Sequence, residues 1–211
     1  MADLTLVGDS NWMSPWVFHV LVALEEKRLP YTLELVPLPV PADRRAELLA
    51  RSPLPKVPML IHGDLVINES IAISEYLAET FPTPAHPRLF PADLGDRARA
   101  RQVMSWLRTS LSALRHERPT TTIYGQPVTT PLTAEAAADA EELIRVGTAM
   151  IEPGRTTLFD AWCIADADLG LALMRLIANA DPVPAPLVAY ADAQWQHPSV
   201  RKYLARMPTR H

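Results

Sequence analysis

The chain has 211 residues, of which 48% are hydrophobic and 21% charged, and its formal net charge is −4. This is the composition of an ordinary globular protein, and it gives no case for a nucleic-acid binder, whose surface would be basic. The single cysteine, Cys163, excludes an internal disulfide. Because the histidines lack the spacing of metal ligands, we expect no metal. Because no basic segment precedes an apolar stretch at the N-terminus and no apolar run is long enough to span a membrane, we expect a cytoplasmic protein.

The N-terminal part of the chain alternates short apolar runs with helical periodicity. Leu4–Val7 is β-prone, and a helical pattern begins at Ser14-Pro15, where serine at the cap and proline at the first helical position are a strong start signal. The elements predicted next are a strand over 31–36, a helix over 42–50, a hairpin of 59–61 with 65–67, and a helix over 70–80. The predicted order is therefore β-α-β-α-β-β-α.

A proline-rich stretch, FPTPAHPRLFPA, separates this part from the rest of the chain. Prolines at this density exclude a helix and indicate a linker. We therefore predict an α/β domain over 1–81, a linker over 82–92 and an all-helical domain over 93–211. In the last of these, periodicity predicts helices over 93–118, 133–150, 164–180, 186–195 and 198–206.

The order of elements, with Pro58 just before the third strand, resembles the thioredoxin-like fold. In that fold a functional group stands at the N-terminus of the first helix, where unpaired N–H groups and the helix dipole favour an anion. Redox members carry Cys-Pro-x-Cys there, whereas this chain has Ser14-Pro15-Trp16-Val17. The hydroxyl of Ser14 cannot perform thiol–disulfide exchange, but it can donate a strong hydrogen bond to the thiolate of another molecule. The alternative is that Ser14 is only a helix cap.

The whole chain resembles the glutathione S-transferases, which join a thioredoxin-like domain to a helical domain. The motifs that carry this resemblance are Ser14-Pro15, Lys56-Val57-Pro58 and Glu69-Ser70 followed by IAISEYL. The resemblance implies that Pro58 is cis and that Val57 pairs its backbone with the cysteinyl unit of glutathione. It also implies that Glu69 faces the α-ammonium group and that Ser70, with the N-terminus of its helix, receives the α-carboxylate. Lys56 would meet the glycine carboxylate.

On this resemblance, Ser14 is the catalytic residue of a glutathione transferase, with glutathione as co-substrate and no further cofactor. Glutathione-dependent peroxidase activity and a homodimer are further implications. One alternative is a non-catalytic glutathione-binding module, which need not keep the complete set of site residues present here. Another is a zeta-type isomerase, whose Ser-Ser-Cys helix start is missing from NWMSPW. The pair Glu69-Ser70 alone could also be merely a helix start.

The stretch WCIADADLGLALMRL matches the capping box of a buried helix in the same family. Cys163 holds the cap position, and Asp166 is expected to do most of the capping because a thiol is the weaker partner. Both are therefore interpreted as structural, with a redox role of Cys163 as the alternative. Together with RARARQ, LRHERPT and TPLTAE, this form more closely resembles the bacterial YfcF-like glutathione transferases.

Three arginines, Arg101, Arg108 and Arg115, recur at every seventh residue. We expect them on one side of the helix predicted over 93–118. The resemblance places that helix beside the second substrate. It implies that Arg108 and Arg115, and also Trp12 of the N-terminal part, are possible electrophile-site residues. The alternative is a solvated polar face with a few ion pairs.

Overall fold

The computed structural model describes residues 3–125 and 127–207. They form two compact units. The first contains the residues up to Leu89 together with Ala205–Met207, and the second contains Phe90–Leu204. The division falls inside the predicted linker 82–92, which contains neither helix nor strand. The domain boundaries given above stay predictions.

The first unit is an α/β unit with the predicted order of elements, β-α-β-α-β-β-α. Its strands are Leu4–Asp9 (β1), Thr32–Val36 (β2), Met59–His62 (β3) and Leu65–Asn68 (β4). Its helices are Pro15–Glu26 (α1), Ala42–Arg51 (α2) and Ser70–Thr80 (α3). The expected thioredoxin-like fold is confirmed.

The strands form one sheet in the order β2-β1-β3-β4. β1 and β2 are parallel, whereas β3 is antiparallel to both β1 and β4. Met59, at the start of β3, lies opposite Val7 of β1 and opposite Asn68, the last residue of β4. Because β3 begins where β1 and β4 end, the loop before β3, the loop after β1 and the start of α3 meet at one end of the sheet, which we call the site end.

The position of α1 is fixed by burial on all its sides. The residues from Val17 to Leu24 are all buried. A second core cluster of the unit consists of Val7, Val36, Leu48 and Met59. Because buried side chains are closely packed in protein interiors, α1 has little freedom to shift, and its N-terminus has a defined place.

The second unit is helical. Its helices are Leu94–Thr109 (α4), Ser112–Glu117 (α5), Thr120–Tyr124 (α6), Ala134–Met150 (α7), Ile164–Ile177 (α8), Ala185–Gln196 (α9) and Pro198–Arg206 (α10). The all-helical prediction is confirmed, although α6 was not predicted. Nearly all of α8 is buried, as its apolar sequence suggested. Within residues 3–125 and 127–207, no helix is both long and apolar enough to cross a membrane.

The prediction of a single helix over 93–118 is wrong, because α4 ends at Thr109 and a separate helix, α5, begins at Ser112. Ser110 has an extended backbone after α4, and Leu111 adopts the left-handed region with φ 58°. The new helix start is stabilised by Asp139 of α7, whose carboxylate accepts a hydrogen bond from the backbone N–H of Leu114 at 3.0 Å. A carboxylate from another helix therefore supplies a partner that no local residue provides.

Candidate functional site

Ser14 caps α1 at the site end of the sheet. Its hydroxyl oxygen accepts a hydrogen bond from the backbone N–H of Val17 at 3.3 Å. A hydroxyl that accepts one bond can still donate its own proton. The residue is largely buried, with 9% of its surface exposed. Ser14 is thus a helix cap with the capacity for one further hydrogen bond.

Asp9, the last residue of β1, holds the loop that presents Ser14. One carboxylate oxygen, Oδ2, accepts hydrogen bonds from the backbone N–H groups of Met13 at 2.7 Å and Ser14 at 3.2 Å. The side chain is buried, and its other oxygen, Oδ1, has no hydrogen-bond partner among the described residues. Sequence reasoning missed Asp9, although an acidic residue that ends an apolar strand five residues before a cap was a usable signal.

The segment before β3 leaves backbone groups of Val57 unused. The Val57–Pro58 bond is cis, and Pro58 is buried. Since the ladder of β3 starts at Met59, Val57 lies just outside it. Within the described part of the chain the N–H of Val57 donates no hydrogen bond and its C=O accepts none. Partly buried backbone groups of this kind ordinarily find a partner, so Val57 has room for one from outside the chain.

Asn68, the last residue of β4, ties this segment to the start of α3. Its side-chain oxygen accepts a 2.5 Å hydrogen bond from Ser52, and its amide nitrogen donates to the carbonyl of Lys56 at 3.0 Å. Lys56 itself is exposed. Sequence reasoning missed Asn68 as well, although a polar residue at the end of the apolar run LVIN was visible.

Glu69 and Ser70 begin α3 at the site end. Glu69 has φ 67° and ψ 118°, a region that residues other than glycine rarely adopt. Its side chain is exposed and makes no capping hydrogen bond. Strain of this kind costs about 1–3 kcal/mol and is typical of ligand-binding positions. Ser70 is buried at the first helical position, where backbone N–H groups of the first turn have no acceptor inside the helix.

The predicted electrophile-site residues lie in different surroundings. Trp12, in the α/β unit, is buried with φ 56°, and its backbone N–H donates to the carbonyl of Asp9 at 3.3 Å. In the helical unit, Arg108 donates to Asp168 at 2.6 Å. Arg115, which lies on α5 because of the break, donates to the carbonyl of Arg108 at 2.8 Å. The prediction that the arginines form a stripe on one helix is wrong.

Cys163 and Asp166 begin α8 inside the helical unit. The Asp166 carboxylate accepts hydrogen bonds from the backbone N–H groups of Cys163 at 2.8 Å and Leu158 at 2.7 Å, and from the hydroxyl of Tyr190 at 2.8 Å. Burial, and next the negative charge of Asp166, raise the pKa of the Cys163 thiol well above its ordinary value. A thiol in these surroundings stays protonated and is a poor nucleophile.

Comparison with known families identifies both halves of the chain. Residues 13–80 match the family described as glutathione S-transferase, N-terminal domain, and residues 93–208 match glutathione S-transferase, C-terminal domain. The chain belongs to the glutathione S-transferase family.

Individual family members give matches of different extent. The chain is 40% identical over 98 residues to glutathione S-transferase U13 of Arabidopsis thaliana, covering 46% of this chain and 40% of the relative. It is 30% identical over 132 residues to glutathione S-transferase theta-1 of Bos taurus, and this match covers 60% of this chain and 54% of the relative. The chain thus spans about half the length of these curated relatives. A glutathione transferase homologue from Burkholderia (strain BGR1), solved with bound glutathione, is 30% identical, with 97% of each chain covered and a TM-score of 0.78.

Within this glutathione S-transferase family member, three predicted segments are brought together by the sheet. Ser14 follows β1, Val57 precedes β3, and Glu69 follows β4, so all three lie at the site end. Asp9 and Asn68, which were not predicted, position these segments through hydrogen bonds. The geometry can therefore offer hydroxyl, backbone and carboxylate groups to one ligand.

Proposed function

We propose that this chain binds glutathione at the site end and uses Ser14 to stabilise its thiolate for attack on an electrophile. The observation that carries the proposal is that three kinds of group lie together at the site end of the sheet. They are the hydroxyl of Ser14, the unused backbone N–H and C=O of Val57, and the exposed carboxylate of Glu69, whose backbone is strained. The Burkholderia homologue supports it, because that protein was solved with bound glutathione.

Each polar group of glutathione has a chemically matched residue in the proposed site. Val57 pairs its N–H and C=O with the cysteinyl unit as an added strand would. Ser70 and the first N–H groups of α3 receive the α-carboxylate, which the helix dipole favours. The exposed side chains of Glu69 and Lys56 face the α-ammonium group and the glycine carboxylate, respectively. Pro58, which follows Val57, is buried and anchors this segment in the proposed site.

In the proposed reaction, Ser14 donates its hydroxyl proton to the sulfur as a hydrogen bond and keeps it throughout. The thiol proton passes to solvent, and the thiolate attacks the electrophilic carbon. With a halonitrobenzene, the S–C bond forms and the halide leaves with the bonding electron pair. Because the hydrogen bond is stronger to the thiolate than to the thiol, it raises the thiolate fraction at neutral pH.

The more specific parts of the proposal follow from the sequence motifs. We assign the chain to the YfcF-like transferases, with domains over 1–81 and 93–211 and a homodimer as the working state. A peroxidase reaction is included, in which two glutathione molecules reduce a hydroperoxide to an alcohol and water and become glutathione disulfide. Light scattering should give about twice the mass of one chain, and a monomer would exclude the dimer.

Calorimetry and a substrate panel test the proposed function. Glutathione should bind with saturable heat, and S-methylglutathione, which cannot form a thiolate, should bind without the release of a proton. Turnover is then measured with a halonitrobenzene, an organic hydroperoxide and a mixed disulfide. Conjugation of the halonitrobenzene supports the transferase. Glutathione binding with no turnover in any of the three assays would favour the non-catalytic binding module.

A further inference from the structure

Asp9, the last residue of β1, has a buried carboxylate of which only one oxygen is hydrogen-bonded. The residue is 1% exposed, and its Oδ2 accepts from the backbone N–H groups of Met13 and Ser14. Its Oδ1 is buried without a hydrogen-bond partner, and none of the residues in 3–125 and 127–207 forms an ion pair with Asp9. Leaving part of a buried carboxylate unpaired is costly, so its place beside Ser14 calls for an explanation.

The Asp9 carboxylate lies close to the Ser14 hydroxyl. Its Oδ2 is 3.2 Å from the backbone nitrogen of Ser14. Bond lengths and angles keep the Oγ of a serine within about 4 Å of its own nitrogen, so Oδ2 and the Ser14 Oγ are no more than about 7 Å apart. A sulfur that accepts a hydrogen bond from this Oγ therefore lies within about 10 Å of the charge. Over such a distance two charges in a largely buried site interact appreciably.

The Asp9 charge acts against the two features that favour a thiolate at this helix start. The dipole of α1 and a hydrogen bond from Ser14 both stabilise an ionised sulfur and lower the pKa of its thiol. A nearby negative charge destabilises the ionised sulfur and raises that pKa. A more basic thiolate is also the stronger nucleophile, and the best attacking thiol has a pKa near the working pH. The opposing charge therefore limits how far the basicity of the sulfur is lowered.

The further titratable side chains on the first turns of α1 and at the site end are His19, Lys56 and Glu69. Lys56 and Glu69 are exposed, so solvent and salt screen their charges. His19 is buried on α1, five residues and about 7 Å along the helix axis from Ser14. A protonated His19 would lower the pKa of the thiol, which is opposite to the effect of Asp9. All three are retained when Asp9 is replaced by asparagine, so that substitution isolates the Asp9 charge.

We propose that the charge of Asp9 keeps a sulfur held at Ser14 a stronger base, and so a stronger nucleophile, than the helix and the hydroxyl alone would make it. Asp9 is thus a positioning residue with a second, electrostatic role. Its Oδ2 holds the backbone of Ser14, and its charge sets how basic the sulfur is. The part that concerns glutathione rests on the proposed function, whereas the effect on a thiol at the cap of α1 does not.

The effect is measured first on a thiol built into the protein. Cys163 is the only cysteine of the chain, so Ser14→Cys in the Cys163→Ser background places a single thiol at the cap of α1. The ultraviolet absorbance of its thiolate gives its pKa without glutathione. Adding Asp9→Asn removes the charge and retains an oxygen that accepts from an N–H. The pKa of the introduced thiol should fall by about 1–2 units. An unchanged pKa would overturn the proposal, because it would leave Asp9 with a structural role only.

The matched control is Asp64→Asn, which makes the same change of charge in the same unit. Asp64 is exposed in the turn between β3 and β4, at the end of the sheet opposite the site end. It should leave the pKa of the introduced thiol unchanged, and an equal fall in both variants would contradict a specific role of Asp9. If Asp9→Asn does not fold, Asp9→Ser, whose hydroxyl also accepts from an N–H, takes its place with the same expected and contrary results.

Turnover with glutathione and a halonitrobenzene extends the test to the proposed reaction. In Asp9→Asn with Ser14 intact, the rise of turnover with pH should move to lower pH by about one unit. The plateau at higher pH should fall about threefold, because nucleophilicity decreases with basicity. An unshifted profile would overturn the proposal for glutathione. Absence of turnover in the wild type would count against the proposed function alone, since the introduced thiol is measured without glutathione.

Discussion

The helices α1 and α8 begin alike, yet their N-termini differ in what they can do. Each starts at a small side chain with a single polar atom, Ser14 and Cys163, and each has an aspartate close by. Asp9 accepts hydrogen bonds from the backbone N–H groups of Met13 and Ser14, and the Ser14 hydroxyl is still able to donate. Asp166 takes the backbone N–H of Cys163 itself and two further donors from the surrounding core.

Burial and charge complete the difference between the two helix starts. Ser14 is 9% exposed, whereas Cys163 is 1% exposed and its thiol has a pKa raised by burial and by Asp166. Both N-termini have the same dipole, so the dipole alone does not make a reactive site. A helix start becomes functional when its cap can be reached and still has hydrogen-bond capacity. The following predictions test that contrast, and they run from the largest expected effect to the smallest.

Asp166→Ala should destabilise the protein by about 3–5 kcal/mol, because it leaves buried donors of the core without a partner. Those donors are the backbone N–H groups of Cys163 and Leu158 and the hydroxyl of Tyr190. Urea denaturation measures the free energy of unfolding. The matched control is Asp160→Ala, which removes an exposed carboxylate and should change it by less than about 0.5 kcal/mol. Equal stability of the two variants would show that α8 does not depend on its cap.

Glu69→Ala and Ser70→Ala should each weaken glutathione binding by about 1.5–3 kcal/mol, since each removes a hydrogen bond to a charged group. Turnover at saturating glutathione should change less than the affinity. Calorimetry gives the affinity, and Glu79→Ala, at the other end of α3, is the control for loss of an exposed carboxylate. Unchanged affinity in both variants would remove α3 from the site.

Glu69→Gly separates the effect of backbone strain at the start of α3 from the effect of losing the Glu69 carboxylate. Glycine adopts a positive φ at no steric cost, so this variant should bind glutathione as weakly as Glu69→Ala. It should nevertheless unfold at a higher urea concentration than Glu69→Ala, because alanine keeps the strain at φ 67°. If the two variants have the same unfolding midpoint, the backbone at this position is not strained.

Ser14→Ala should raise the pKa of the bound glutathione thiol by about one unit or more, which corresponds to about 1.4 kcal/mol. Turnover at neutral pH should fall about tenfold and recover in part as the pH rises, whereas glutathione affinity should change little. Thr133→Ala is the control, because it removes a hydroxyl cap of a similar kind from α7. It should lower stability by about 1 kcal/mol without moving the pH profile. A wild-type pH profile in Ser14→Ala would show that the hydroxyl does not meet the sulfur.

Cys163→Ser should have the smallest effect, with turnover close to that of the wild type. The raised pKa of Cys163 keeps its thiol neutral in the folded state, whereas the unfolded chain ionises it near pH 8.5. The wild-type free energy of unfolding should therefore fall above that pH by up to about 1.4 kcal/mol per pH unit. Cys163→Ser should lack this part of the slope in urea denaturation. An inactive Cys163→Ser would instead reveal a reactive cysteine.

Local patterns in the sequence determined the elements of the α/β unit and most of the helices. Period-two and helical spacing, Ser14-Pro15 at a helix start and the prolines of 82–92 act through neighbouring residues, so they can be recognised without the fold. The order β-α-β-α-β-β-α followed from them. The positions of Val57 and Glu69 as possible binding residues followed from the family resemblance rather than from local physics.

Tertiary structure alone decided which of these residues meet. The register of β3 against β1 and β4 gathers Ser14, Val57 and Glu69 at the site end, and Asp9 and Asn68 hold them there. The break after α4 likewise depends on a distant group, the carboxylate on α7 that caps α5. All of these are contacts between residues far apart in the chain, and local periodicity carries no record of them because it reflects only how each segment buries its own apolar face.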